Sequence, residues 1–190
     1  MDVVRTCYSG PSRKLIVALD IGTTFSGAAY AFLDPGEIPR IQSVTRRVPS
    51  ILYYDHDGNF RGVENGVDFQ DDDAFLRMRW WKMILSPTEL PAAMADQMSL
   101  KLPRGKTILD VYADFMGYLF DSTKALFKTS EPNGELRWNS VSNNIELVLT
   151  HPNGWGGPQQ TQLRTAAVKA GIVPDTPAGH SRVHFVTEGE

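Results

Sequence analysis

The sequence predicts a mixed α/β fold, and two patterns support this prediction. The first third of the chain alternates short apolar runs with residues that favour turns, which is typical of antiparallel strands. The second half contains a long segment with apolar residues at helical spacing, after which strands and helices alternate. The chain has 190 residues, of which 42% are hydrophobic and 22% are charged. This length and composition suit one globular domain or a large part of one.

Three antiparallel strands are predicted at the start of the fold. The continuous apolar run at residues 15–20 indicates a buried strand, and residues 22–27 are rich in Gly, Thr and Ser and predict a turn. Residues 28–33 form the second predicted strand. A turn signal at residues 34–36 separates it from the third, at residues 38–44. The sheet therefore opens with antiparallel strands joined by short turns.

Later apolar runs predict further strands. Residues 50–54 and 60–63 are joined by an Asp-Gly turn, which indicates a hairpin. The runs at residues 145–150 and 183–187 predict two more strands. Residues 129–143 are polar, and the Pro-Asn-Gly sequence at residues 132–134 predicts a turn.

Helical spacing is clearest over residues 107–128, where apolar side chains recur every three or four residues and indicate a core-facing helix. A second helix is predicted at residues 74–85, because three acidic residues precede an apolar-periodic stretch. A short helix is predicted near residues 92–97. The last helix is predicted over residues 159–170, and Gly171 is placed to end it.

Composition and charge exclude several classes of function. The formal net charge is -3, which argues against nucleic acid and anionic membranes as partners. No segment has the apolar length needed to span a bilayer. The single cysteine, Cys7, excludes an intramolecular disulfide and suits a reducing compartment, so we expect a cytoplasmic protein. Cys7 lies in residues 1–13, which we expect to be a flexible leader.

The turn after the first predicted strand carries the residues best suited to phosphate chemistry. Gly22 permits backbone amides to turn inward, and Thr23, Thr24 and Ser26 supply small hydroxyl groups. Asp20 can hold a hydrated Mg²⁺ ion or orient an attacking water. The loop joins two strands and lacks the GxxxxGK[ST] pattern, so it is not a P-loop. The alternative is an ordinary hairpin turn, which poorly explains two consecutive threonines between Gly and the next strand.

This loop resembles the first phosphate loop of the actin-like ATPase superfamily, which includes actin, sugar kinases and DnaK-type heat-shock chaperones. The rest of the chain is most similar to the chaperones, and in order and spacing to the divergent heat-shock-seventy-like branch common in fungi. The Asn-Gly-Trp sequence at residues 153–155 is similar to that branch. The other matching segments are residues 48–53, 79–85, 147–152, 167–172 and 185–190.

The resemblance implies a ribonuclease H-like/actin-like ATPase lobe with a mixed sheet, antiparallel opening strands and flanking helices. Residues 14–190 would form the N-terminal lobe of the nucleotide-binding domain, in a truncated and therefore incomplete form. The family's second lobe, which brings another phosphate loop and the adenosine pocket, has no counterpart in the sequence. We therefore expect residues 1–190 alone to have weak or undetectable ATP affinity and no meaningful hydrolysis.

The resemblance also implies roles for charged residues. Asp20 would lie near Mg²⁺ and contact it through water, with ATP as the other cofactor. Lys82 would position the attacking water and stabilise charge in the transition state. Glu188 would contact the metal's water shell or the nucleophile, with Glu190 as the alternative if the alignment is shifted.

The loop residues would bind the cofactor. Gly22, Thr23, Thr24 and the neighbouring amides would hold the β- and γ-phosphates, and Phe25 replaces a tyrosine that is common in the chaperones. The expected function is that of an ATP-binding, ATP-hydrolysing heat-shock-seventy-like protein, with protein clients or co-chaperones as further partners. Two alternatives remain: a sugar or polyol kinase of the same superfamily, and a non-catalytic half-domain that serves as a binding module.

Overall fold

A computed structural model of the chain describes residues 6–44, 47–64, 74–86 and 101–188. Within these ranges the chain forms nine strands, four α-helices and one 3-10 helix, Trp81–Leu85. The strands are β1 (Lys14–Ile21), β2 (Phe25–Leu33), β3 (Ile41–Ser43), β4 (Val48–Pro49), β5 (Leu52–Tyr54), β6 (Phe60–Val63), β7 (Leu76–Met78), β8 (Ile145–His151) and β9 (Val183–Thr187). The helices are α1 (Ile108–Ser130), α2 (Gly134–Val141), α3 (Gly157–Lys169) and α4 (Pro177–His180).

The main sheet has the strand order β3-β2-β1-β8-β9, and β4 pairs with the start of β2. β1, β2 and β3 are antiparallel neighbours, as the sequence predicted, whereas β8 and β9 run parallel to β1. The register pairs Leu19 with Leu149 and Leu149 with Phe185. The carboxyl ends of β1, β8 and β9 therefore lie together at one edge of the sheet.

One face of β1 supplies the centre of the core. Leu15, Val17 and Leu19 alternate with partly buried residues and are fully buried, as expected for a strand with one face against helices. α1 packs against β1 and β2 and also against α3. Its Phe115 and Leu119 are fully buried in the same cluster. The long helix is therefore fixed to the strand that leads into the Gly-Thr-Thr loop.

α1 confirms the helix predicted from apolar spacing, and it begins with a capping box. The Thr107 hydroxyl accepts a hydrogen bond from the backbone N–H of Asp110 at 3.3 Å. The Thr107 N–H donates to Asp110 Oδ2 at 2.8 Å. Lys169 of α3 donates to the other carboxylate oxygen at 2.7 Å. Asp110 thus starts one helix and connects it to a second.

The helix predicted at residues 74–85 is wrong. Leu76–Met78 instead form β7, which pairs with β5 in a second, three-stranded sheet of order β6-β5-β7. Trp80 adopts a left-handed backbone conformation, φ 54°, which is incompatible with a continuous α-helix. Only Trp81–Leu85 is helical, as a 3-10 turn. Met78 is buried opposite Leu52 of β5. Pairing with β5 therefore determines the conformation of residues 76–78, although the spacing of their apolar side chains also suits a helix.

The turn predicted at residues 132–134 is present, and Gly134–Val141 after it form α2, a helix that the sequence did not predict. Asn133 precedes it in a left-handed conformation, φ 53°. Trp138 is buried with its ring centroid 5.7 Å from that of Phe127. Few other side chains of α2 are buried, so the sequence has no apolar stripe that would have revealed this helix.

The remaining strand predictions and the helix predicted at residues 159–170 are confirmed. The hairpin of β5 and β6 forms, β8 and β9 occupy the predicted positions, and Gly171 follows α3 with φ 71°. The helix predicted near residues 92–97 and the acidic residues 71–73 lie outside the described residues. Residues 1–5 of the expected leader also lie outside them, whereas Tyr8 exchanges backbone hydrogen bonds with the turn at residues 36–37. Within the described ranges, no helix combines the length and apolar character that a bilayer-spanning segment requires.

Replacing Asp110 with alanine should lower the free energy of unfolding by about 1 kcal/mol at pH 7, because the capping box and the Lys169 contact are lost. Hydrogen bonds from Lys169 and Thr107 hold the pKa of Asp110 below its ordinary value. The ionised carboxylate of Asp110 therefore contributes its full share of the free energy of unfolding above the pKa that it has in the unfolded chain. This share is lost as pH falls through the lower pKa of the folded state. Thermal unfolding across pH should show the wild-type advantage shrinking below about pH 4.

The matched control is Asp121→Ala, which removes an exposed acid from the same helix. We expect it to change the unfolding temperature little at any pH. An equal loss of stability in both variants would contradict the capping role of Asp110.

Candidate functional site

Three strands bring polar residues to the carboxyl edge of the main sheet. β1 ends directly after Asp20, β8 ends with Thr150 and His151, and β9 ends at Thr187, just before Glu188. In α/β sheets this edge is where ligands bind. The loop between β1 and β2 lies at the same edge. We call Asp20, the loop residues 22–24, Lys82, Thr150 and Glu188 the edge cluster.

Two buried serines fix the loop between β1 and β2. The Ser50 hydroxyl donates to the Gly22 carbonyl at 2.8 Å, and the Gly22 N–H donates to Ser26 Oγ at 3.2 Å. The two serine oxygens are 2.8 Å apart, and the residues are only 3% and 1% exposed. The Ser50 N–H also donates to the Thr24 carbonyl at 2.9 Å. Ser26, expected as a phosphate donor, therefore uses its hydroxyl inside the protein.

Gly22 is required by the tightness of this loop. A Cβ atom built on Gly22 would lie 2.2 Å from the carbonyl oxygen of Phe25. That oxygen belongs to the backbone, so a side chain at this position would force the loop to move. By contrast, a Cβ on Gly27, five residues later, meets nothing within 4 Å.

The other loop side chains face outward. Thr24 is exposed, Thr23 is half-buried, and within the described parts of the chain neither hydroxyl is hydrogen bonded. Phe25 is 49% exposed, and the Arg47 guanidinium lies 5.9 Å from its ring centroid. Among the described residues, neither threonine hydroxyl is therefore committed to an internal contact.

Asp20 is exposed, and a neighbouring strand holds its side chain in place. Its Oδ1 accepts a hydrogen bond from the Thr150 hydroxyl at 2.6 Å. The second carboxylate oxygen has no partner among the residues that the structure describes. Thr150 was not predicted as a site residue, although a polar residue at the end of an apolar strand could have indicated it.

Lys82 and Glu188 form an ion pair across 106 residues of sequence, between Lys82 Nζ and Glu188 Oε1. The Lys82 side chain is 5% exposed, whereas that of Glu188 is 38% exposed. The ammonium also lies 5.7 Å from the ring centroid of Trp155. Burial of an unpaired ammonium is costly, so the carboxylate and the aromatic face explain why Lys82 can be buried here.

The position of Lys82 depends on its neighbour Trp81. The Trp81 indole N–H donates to the Ser50 carbonyl at 2.9 Å. Its ring makes edge contacts with Tyr112 and Phe115, at centroid distances of 4.7 and 5.3 Å. Trp81 is therefore a core residue, and Ser50 links it to the Gly22 loop.

The carboxylates and hydroxyls of the edge cluster are hard oxygen donors, the type of ligand that Mg²⁺ prefers. In the described ranges, no group of three or more His, Cys, Asp or Glu residues is placed to hold a metal. Mg²⁺ usually keeps several waters and binds one or two carboxylates plus substrate phosphates. Asp20 and Glu188 supply two carboxylates at one edge of the sheet, and Thr23 and Thr24 supply free hydroxyls beside them.

No protein-family model matches the chain, and a search of curated proteins finds no significant match. Solved structures do match. A non-polymerising mutant of MamK bound to AMPPNP is 11% identical with a TM-score of 0.52, over 92% of this chain and 41% of that one. MreB5 of Spiroplasma citri bound to ADP is 13% identical with a TM-score of 0.48, over 92% and 38% of the two chains.

The MamK comparison confirms the fold that the sequence predicted. The chain has an actin-like ATPase fold. It spans about two fifths of the length of MamK, so the match concerns one part of that fold. In this actin-like lobe the loop between the first two strands and the ends of the parallel strands form a single edge.

Gly22→Ala should destabilise the actin-like lobe by about 1–3 kcal/mol, because the added methyl group collides with the Phe25 carbonyl. Chemical denaturation measures the change in the free energy of unfolding. The matched control is Gly27→Ala, where the methyl group enters open space. Equal and small effects of the two substitutions would show that the loop is not as tight as described.

Proposed function

We propose that the chain forms the phosphate- and metal-binding half of an ATP site in a heat-shock-seventy-like ATPase. The observation that carries this proposal is the ion pair between the buried Lys82 and Glu188, at the sheet edge that also holds Asp20 and the Gly22 loop. A buried lysine with a carboxylate partner beside a constrained Gly-Thr-Thr loop is poorly explained by stability alone, since buried ion pairs contribute little net stabilisation.

The loop would bind phosphate oxygens. The buried hydroxyls of Ser26 and Ser50 fix its backbone, so the Thr23 and Thr24 hydroxyls and the loop amides need little reorganisation to accept an anion. Gly22 allows the close turn that this requires. Phe25 would cover the outer side of the bound phosphates.

The two carboxylates would hold the metal through its waters. Asp20 keeps one oxygen without a partner among the described residues, and its other oxygen is held by Thr150. Mg²⁺ bound in this way supplies charge neutralisation for the phosphates. Glu188 is partly exposed and would contact the same water shell or the nucleophile.

Lys82 would stabilise charge on the transferred phosphoryl group and position the attacking water. Its ammonium has three donors, and Glu188 uses one of them. Each of the other two can point to a phosphate oxygen or to a water. Phosphoryl transfer needs positioning and electrostatic stabilisation, and these residues can provide both without a covalent intermediate.

The nucleotide in the matched structure supports the same assignment. MamK was solved with AMPPNP, and its fold matches this chain over 92% of the chain. In our proposal residues 14–190 form the N-terminal lobe and residues 1–13 precede it. The adenosine pocket and the second phosphate loop belong to another lobe, and protein clients or co-chaperones would be the further partners of the whole protein.

Titration with magnesium tripolyphosphate, followed by amide NMR, tests the phosphate site directly. We expect weak binding, on the order of millimolar Kd, with signals of Gly22, Thr23 and Thr24 shifted. Lys82→Ala should raise this Kd at least about tenfold, because a charge-assisted contact is lost. Thr24→Val, a change at an exposed site, should also weaken binding without unfolding the chain.

The matched control is Lys101→Ala, which removes an exposed lysine outside the edge cluster and should leave Kd unchanged. Absence of any shift in the loop on adding magnesium tripolyphosphate to the wild-type chain would contradict the proposal. The non-catalytic binding module would then be the remaining alternative.

A further inference from the structure

Tyr112 of α1 has a buried hydroxyl group without a hydrogen-bond partner. The residue is 1% exposed, and its hydroxyl oxygen contacts no donor or acceptor in the described parts of the chain. Buried phenol groups usually have a partner, because water satisfies them in the unfolded chain. Tyr112 lies in the helix predicted at residues 107–128 from its apolar spacing, and that spacing does not explain the hydroxyl.

A small cavity lies beside Tyr112. It has a volume of about 10 Å³, which is roughly the space that one water molecule requires. Tyr112, Lys82 and Thr150 line it, and the side chain of each carries a polar group. The indole of Trp155 adds an N–H donor, and the other lining side chains are apolar, so a polar occupant has these groups as its side-chain partners.

The hydrogen-bond capacity of the three residues is complementary. Lys82 gives one donor to Glu188 and keeps others. Thr150 gives its hydrogen to Asp20 and keeps acceptor lone pairs. Tyr112 has a free donor. One water can accept from Lys82 and Tyr112 and donate to Thr150, which satisfies all three groups.

We propose that Tyr112 is a positioning residue of the edge cluster, and that it orients Lys82 through a single buried water. The resulting chain of hydrogen bonds runs from the Lys82 ammonium to the water, from the water to the Thr150 hydroxyl, and from Thr150 to Asp20. It connects the cation and the carboxylate that the proposed function assigns to phosphate and metal, so the inference rests on that proposed function.

The electrostatic surroundings of the hydroxyl agree with a donor role. Burial raises the pKa of Tyr112 far above its ordinary value, and the Glu188 carboxylate raises it further. The phenol therefore keeps its proton at physiological pH and can donate it to a bond. Trp81 holds the ring by an edge contact with a centroid distance of 4.7 Å, so the hydroxyl has a fixed direction.

The first test is a high-resolution crystal structure of the 190-residue chain and of Tyr112→Phe. We expect the wild type to contain one water within hydrogen-bond distance of the Tyr112 hydroxyl, Lys82 Nζ and Thr150 Oγ1. We expect this water to be lost or displaced in the variant. A dry cavity in the wild type, or a Tyr112 hydroxyl bonded to a protein atom, would overturn the proposal.

The second test measures hydrogen exchange of the Lys82 ammonium by ¹⁵N NMR, which needs no nucleotide. Tyr112→Phe should accelerate this exchange about fivefold or more, because one hydrogen bond of the network is lost. Thr150→Val, which is nearly isosteric, should have the same effect. Tyr118→Phe on the same helix is the control and should leave the exchange rate unchanged. Equal exchange rates in the wild type and in the two cavity variants, Tyr112→Phe and Thr150→Val, would overturn the positioning role.

Magnesium tripolyphosphate titration of the same variants separates this inference from the proposed function. If the wild type binds and Tyr112→Phe binds at least about fivefold more weakly, the positioning role extends to the ligand. If the wild type binds magnesium tripolyphosphate and both cavity variants bind it as tightly as the wild type, the positioning role of Tyr112 towards the ligand is overturned. If no variant binds, the proposed function fails, and the water and the Lys82 exchange rates still decide the inference.

Discussion

The parallel pairing of β1 with β8 is the constraint on which the rest of the site depends. Strands that run parallel end at the same edge of a sheet, so residues far apart in sequence become neighbours there. This pairing allows the Thr150 hydroxyl to reach Asp20, and the next parallel strand, β9, leads directly to Glu188. An antiparallel β8 would place these groups at opposite edges. α1, packed on β1, stabilises the arrangement from the core side.

Core residues and site residues are directly connected at this edge. Ser50 holds the Gly22 loop through its hydroxyl, and its carbonyl accepts the hydrogen bond of the Trp81 indole. Trp81 is fully buried, and the residue after it is Lys82. The loop and the lysine are therefore positioned by the same buried contacts. Rigid support of this kind is what electrostatic stabilisation of a phosphate requires, because the donors need not reorganise when the anion binds.

Much of the fold could be predicted from local sequence patterns. The apolar run that became β1 and the helical stripe that became α1 are strong signals, because each buries one continuous face. The predicted helix at residues 74–85 failed because strand pairing of β7 and the left-handed Trp80 are tertiary effects. α2 was missed because its burial depends chiefly on Trp138, whose aromatic partners lie on α1.

The sequence by itself determined the chemical groups of the candidate site: a Gly-Thr-Thr turn after Asp20, a lysine and a late glutamate. Only the tertiary structure decided that Lys82 and Glu188 form an ion pair and that Thr150 and Tyr112 lie beside them. The physical reason is that local patterns report which residues are buried or form turns. Contacts between residues a hundred positions apart depend on strand order and register, which a single sequence encodes only through the packing of the whole domain.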